Sequence, residues 1–121
     1  KRIEEKMAER RVEKPWGYEI RWAVNEKYIG KLLRIEGGQK LSRQYHIEKD
    51  ETIYVLEGTL VLELGPKESV TRMILHPGVS RRIEPGTIHR FAAPSGGCTL
   101  IEVSSPEIED VVRLEDDYGR L

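Results

Sequence analysis

The sequence predicts an all-β domain, a single small antiparallel β-barrel or jelly roll preceded by a short N-terminal helix or arm, and three observations predict it. From Tyr18 onward, short runs rich in β-branched and aromatic residues alternate with turn residues at regular spacing. No amphipathic helix separates those runs, as a parallel α/β fold would require. The chain has 121 residues, the length of one domain with one core.

Residues 1–12 (KRIEEKMAERRV) contain good helix formers, no Gly or Pro, and a thin apolar line of Ile3, Met7 and Ala8. They are expected to form a short helix or arm, with the barrel domain spanning residues 13–121. Pro15-Trp16-Gly17 breaks any helix. Strands are then expected at Tyr18–Val24, Tyr28–Ile35 and Lys40–His46, with turns at Asn25-Glu26 and Gly37-Gly38. Thr52–Glu57 and Leu60–Leu64 read as a tight hairpin joined at Gly58, closed by Gly65-Pro66. Ser69–Leu75, Val79–Ile83, Ile88–Ala92 and Cys98–Val103 complete the set, punctuated by His76-Pro77-Gly78, Pro85-Gly86 and Pro94-Ser95-Gly96-Gly97. Closing such strands into a barrel hides most of their edges. After Pro106 the tail turns acidic.

Composition narrows the function classes. Lys plus Arg (20) nearly balances Asp plus Glu (21), which argues against nucleic acid or an anionic membrane as partner. No apolar run approaches the ~20 residues of a membrane span. Cys98 is the single cysteine, so no internal disulfide forms, and a reducing, cytoplasmic setting is expected.

The stretch Gly38–Gly58 (GQKLSRQYHIEKDETIYVLEG) carries the chemistry. Gln44 and His46 stand two apart in a predicted strand and so share a face. A hairpin folding Glu51 back beside them would add a carboxylate oxygen. His89, just past the Pro85-Gly86 turn, is the candidate for a fourth donor, whereas His76 sits in an apparent loop. Gln44, His46, Glu51 and His89 make a mixed nitrogen and oxygen set that suits zinc, iron, manganese or nickel, and ligand type alone does not choose among them. The alternative is that each is an ordinary polar side chain.

Gly38–Gly58 resembles the first motif of the cupins, in which a Gly precedes two His separated by one residue, then a Glu, then a closing Gly. Gln44 takes the place of the first His, as in the cupin phosphomannose isomerases, whose metal is held by Gln, His, Glu and His. Gly78–His89 resembles the second motif, with Gly86 and His89 in register, although Pro85 is displaced by one residue and Ala93 replaces the usual Asn. Glu13-Lys14-Pro15-Trp16-Gly17, Leu41–His46 and Asp110–Arg120 resemble signatures of type II mannose-6-phosphate isomerase cupin domains, which are commonly fused behind a GDP-mannose pyrophosphorylase domain. The resemblance covers residues 12–120. It implies a cupin barrel, a divalent metal with zinc as first choice, and the interconversion of mannose 6-phosphate and fructose 6-phosphate. It lapses at Ile47-Glu48-Lys49-Asp50, where the family usually has further His residues and a basic residue; Lys49 keeps the basic charge.

Isomerisation of this kind also needs a base within about 3 Å of the transferred proton. Glu102 alternates with Leu100 and Cys98, so it is the first candidate if that face points inward; if Thr99, Ile101 and Val103 form the core face, Glu102 is solvated. Lys40 shares parity with Gln44 and His46 and could meet a phosphate, or be a solvated lysine. Arg43, Tyr45 and Arg90 have the opposite parity and are expected outside. Trp16, Tyr18, Trp22 and Phe91 are candidates for a sugar-facing wall or for ordinary core, Phe91 sharing a face with His89. A sugar or sugar phosphate is the expected ligand and a two-fold homodimer the expected assembly. A non-catalytic sugar-binding or regulatory module is the main alternative, and a metal-dependent oxygenase the third, because the fold alone does not fix function.

Overall fold

A computed structural model of the chain describes residues 10–121. The helix or arm expected over residues 1–12 falls mainly on residues 1–9, outside the described part, and its last two residues belong to a strand. Among the described residues, strands run β1 (Arg11–Lys14), β2 (Gly17–Val24), β3 (Ile29–Ile35), β4 (Arg43–Tyr45), β5 (Glu51–Gly58), β6 (Leu60–Leu64), β7 (Thr71–Leu75), β8 (Ser80–Ile83), β9 (His89–Ala92), β10 (Cys98–Ser104) and β11 (Val112–Glu115). They form two antiparallel sheets, β1-β2-β3-β10-β5-β8 and β11-β4-β9-β6-β7. No helix among the described residues is long and apolar enough to cross a membrane.

The strand sequences explain the layering. In β5, Ile53 and Val55 are fully buried while Tyr54 and Leu56 are exposed, the period of two expected when one face packs on a core. The same alternation buries Cys98 and Leu100 in β10, and Leu60 and Leu62 in β6. Ile35 and Ile83 from the larger sheet and Phe91 and Leu75 from the smaller one complete the core between the layers.

Two expectations about connections are corrected. β5 and β6 do not form a hairpin, because they belong to different sheets. Gly58 turns the chain from one layer to the other at φ +77°, and a Cβ there would lie 2.2 Å from the carbonyl oxygen of Gly97, so the corner needs both the left-handed backbone and the missing side chain. Likewise residues 47–50 carry the chain from β4 in one sheet to β5 in the other, so Glu51 meets His46 across the sandwich rather than along a hairpin.

The expected strand Lys40–His46 is shorter. Lys40 makes one isolated bridge to Ala92, Leu41 and Ser42 leave the ladder, and β4 begins at Arg43. The acidic tail contributes β11, which pairs with β4 through Val112 opposite Tyr45 and Arg113 opposite Gln44. This places the segment preceding β11 against one end of the barrel.

Candidate metal centre

Three side chains from three parts of the fold converge at that end. His46 follows β4, Glu51 opens β5, and His89 opens β9. One donor atom from each lies within 4.8 Å of the others, and all three residues are buried. Glu51 Oε1 is 3.0 Å from His46 Nε2 and 3.3 Å from His89 Nε2. Gln44 sits directly opposite His89 across the β4–β9 pairing and lines a cavity with His46 and Glu51. Its Oε1 accepts a 2.6 Å hydrogen bond from Ser42 Oγ, which orients the amide and leaves the oxygen a second lone pair.

The backbone decides which ring nitrogens face the cavity. His46 Nδ1 lies 2.6 Å from the Asp110 carbonyl oxygen, and His89 Nδ1 lies 2.8 Å from that of Thr87. A carbonyl only accepts, so each Nδ1 carries its proton and donates it. In the neutral rings both Nε2 atoms therefore present lone pairs towards Glu51 Oε1, itself an acceptor. Three electron-pair donors facing one another in a buried site need either a proton on an imidazole or a metal cation between them. His89 Nε2 is buried without a hydrogen-bond partner, as an unsatisfied ligand atom would be. This donor set, closed behind by carbonyl groups that fix the tautomers, fits a divalent metal.

Around the triad lies a second layer of charge. Lys49 Nζ is 3.2 Å from Glu102 Oε2 and 3.8 Å from Glu51 Oε2, all three side chains being buried. Burial alone would raise Glu51, but with an imidazole proton in the cluster, hydrogen bonds from His46, His89 and Glu102 and the charge of Lys49 outweigh it and hold its carboxyl well below the usual range. Glu102 goes the other way: burial, then repulsion from Glu51, push it up to about 8 despite Lys49. Burial would lower Lys49, yet Glu102 and Glu51 more than compensate and keep it charged. Further along the cavity Glu19, buried on β2, pairs with Lys31 at 3.0 Å, Arg21 at 3.1 Å and Lys14 at 3.4 Å.

Several sequence expectations change on this geometry. Glu102 points inward with Cys98 and Leu100, while Val103 is exposed and Thr99 and Ile101 are half-buried, so the alternative with Thr99, Ile101 and Val103 as the core face is set aside. Lys40 does not line the cavity; its ammonium lies 3.7 Å from Asp117. The break at Leu41 and Ser42 is the reason, because parity holds only along continuous strand. Arg43 and Arg90 do face away from the core but are buried beneath the tail, Arg43 on Glu63 (2.6 Å) and Glu115 (2.9 Å), Arg90 on Asp117 (2.7 Å). Trp16 and Phe91 are core residues that also line the cavity. Trp22 is exposed and covers Gly30, and Tyr18 carries Arg11 over its ring, 3.8 Å from the centroid. Sequence reasoning passed over Lys49 and Asp110 as site residues. A lysine in a polar four-residue link has no local mark of burial, and an aspartate 64 positions from His46 none of proximity.

Residues 31–104 match the family model for the cupin domain, and the triad falls within that match. The chain belongs to the cupin family. This cupin is 31% identical over 115 residues to the xanthan biosynthesis protein XanB of Xanthomonas campestris pv. campestris (strain B100), covering 92% of this chain and 24% of that protein. It is 33% identical over 116 residues to mannose-1-phosphate guanylyltransferase ManC of Salmonella typhimurium, covering 93% and 23% respectively. The alginate biosynthesis protein AlgA of Pseudomonas aeruginosa is 30% identical over 113 residues, covering 90% of this chain and 23% of AlgA. The cupin thus spans about a quarter of the length of the curated relatives it matches. Among solved structures it is similar in fold to KdgF from Halomonas sp., with a TM-score of 0.70, 20% identity, and coverage of 79% of this chain and 85% of that one. Oxalate decarboxylase from Bacillus subtilis superposes with a TM-score of 0.72 at 18% identity, over 86% of this chain and 29% of that one. At these identities the likeness shows the fold alone.

Proposed function

We propose that this cupin is a metal-dependent sugar-phosphate isomerase of the mannose 6-phosphate/fructose 6-phosphate type. The observation that carries the reading is the buried convergence of His46, Glu51 and His89 donor atoms, two of these residues, His46 and Glu51, lining one cavity with a further buried carboxyl, Glu102. The similarity to a relative named for mannose-1-phosphate chemistry supports a sugar phosphate as ligand.

Gln44, His46, Glu51 and His89 would hold the ion, zinc being the first choice over manganese, iron and nickel. When bound, the ion supplies Lewis-acid polarisation of a sugar carbonyl or hydroxyl oxygen. The rest of the work falls to the protein. Aldose–ketose interconversion moves one proton from C2 to C1 and a second from the C2 hydroxyl to the C1 oxygen, without net oxidation, so it needs a base that takes the carbon-bound proton and returns it to the neighbouring carbon. Glu102 has that role: it is inward, buried, and held by the Lys49 ammonium at Oε2. Trp16 and Phe91 supply apolar wall, which limits water at the site. Lys40 pairs with Asp117 and does not line the cavity, so this reading gives it no contact with the reacting carbons. A cytoplasmic two-fold homodimer completes the proposal.

The test follows fructose 6-phosphate formed from mannose 6-phosphate in a coupled assay with each metal added in turn. Turnover that a chelator abolishes, and that His46→Ala and His89→Ala lose together with their bound metal, supports the reading. Unchanged metal content in both variants overturns the ligand set. Sugar-phosphate binding without turnover moves the assignment to a binding module, and oxygen consumption moves it to an oxygenase.

A further inference from the structure

Asp110, which lines the cavity, holds four consecutive residues, His46 to Lys49. Its Oδ1 accepts a hydrogen bond from the backbone N–H of Ile47 at 2.9 Å, and its Oδ2 accepts from Glu48 at 2.7 Å and Lys49 at 2.9 Å. Its own carbonyl oxygen takes the His46 Nδ1 proton at 2.6 Å. Three successive amides turned towards one carboxylate form an anion-binding concavity, here filled by a side chain of the same chain. The amide of Ile47, then desolvation, then the other two amides govern the Asp110 carboxyl, which is held below the ordinary aspartate range and therefore charged. Asp110 is itself positioned by β11, whose first residue, Val112, pairs with Tyr45.

We propose that Asp110 is a positioning residue of the metal centre, setting with one side chain and one carbonyl both the orientation of the His46 ring and the insertion of Lys49 between Glu51 and Glu102. The inference rests on the metal reading of the triad. Its physical content is that ring and link move as one body: rotation of the Asp110 backbone that frees the three amides also withdraws the acceptor that holds His46 in the Nδ1–H tautomer. Without that acceptor the ring samples both tautomers, and only one presents an Nε2 lone pair to the ion. An ordinary loop clasp would have no such effect, and the fold contains one for comparison. Ser105 Oγ accepts from the Asp50 N–H at 2.9 Å in the same link, contacting no imidazole.

Zinc affinity of the full chain, measured by competition with a chromophoric chelator, tests this. Asp110→Ala is expected to weaken zinc binding about 10- to 100-fold, the usual effect of removing support behind a metal-bound histidine. Asp110→Asn, which keeps the shape but loses one accepting oxygen, is expected to fall between it and wild type. Ser105→Ala is expected to bind as wild type does. In the metal-free proteins, ¹⁵N shifts of His46 should report the Nδ1–H tautomer in wild type and Ser105→Ala, and a tautomer mixture in Asp110→Ala. If Asp110→Ala does not fold, Asp110→Asn is read on the same two measurements. Unchanged affinity in the Asp110 variants, or equal weakening in Ser105→Ala, overturns the role of Asp110 while leaving the metal site standing. A wild-type chain that takes up no zinc overturns the metal reading itself, and the role of Asp110 with it.

Discussion

Lys49 Nζ lies 3.2 Å from Glu102 Oε2, and the two side chains are only 6% and 5% exposed. A cation is thereby placed between two carboxylates, Glu51 and Glu102, that belong to neighbouring strands. Removing one member of a buried pair leaves an uncompensated charge and typically costs about 3–5 kcal/mol. Lys49→Met is therefore expected to lower the stability of the metal-free protein by about 3 kcal/mol in urea unfolding. Combining it with Glu102→Gln should restore only part of that loss, because Glu51 keeps its charge, and a double-mutant cycle without coupling would refute the pair.

The tail is fastened to itself by Asp116, whose carboxylate accepts from the Arg120 backbone N–H at 2.7 Å and from its guanidinium at 2.7 and 3.0 Å. Arg120 first, and its backbone amide in support, hold the Asp116 carboxyl down to about 2 from an ordinary 3.8, against the opposing effect of burial. A carboxyl depressed on folding contributes stability that is fully present above its unfolded value and lost as pH falls through its folded value. The window here runs from about pH 4 down to about pH 2. Asp116→Asn is expected to cost about 1–2 kcal/mol at neutral pH and to flatten acid unfolding in that window, measured by circular dichroism.

Cys98 faces the core from β10 with no exposed surface, and burial pushes its thiol up to about 11, Arg34 offsetting this only in part. Reaction needs an accessible thiolate. A disulfide reagent at pH 8 is expected to leave the folded protein unmodified for hours and to titrate one thiol at once in denaturant. Rapid labelling of the native state would contradict this placement.

Gly58 is the corner between the two sheets, with φ +77° and no room for a Cβ beside Gly97. Gly58→Ala is expected to destabilise by more than about 1 kcal/mol, the cost of a left-handed residue being joined by a backbone clash. Gly78, also left-handed at φ +91° but with open space around it, should tolerate alanine better. Thermal melts of the two variants compare the effects directly.

The all-β class and most strand positions were legible in the sequence, and so were three residues, His46, Glu51 and His89, that the fold brings together. Each of these is written in short-range order: alternation with period two, turn residues between runs, and the spacing of His46, Glu51 and His89 from their glycines. Parity also paired Glu102 with Leu100 and Cys98, but it left open which face was inside. Only the tertiary structure decided that, because a strand's inner face is defined by the sheet opposite. It also decided that Lys40 lies outside, since two residues off the ladder break the parity with Gln44. Lys49 and Asp110 were beyond reach for a further reason. Links have no period, and the energy that buries Lys49 comes from Glu51 and Glu102, while its backbone is held by a carboxylate 61 residues away. Such partners become neighbours only when the sheets close.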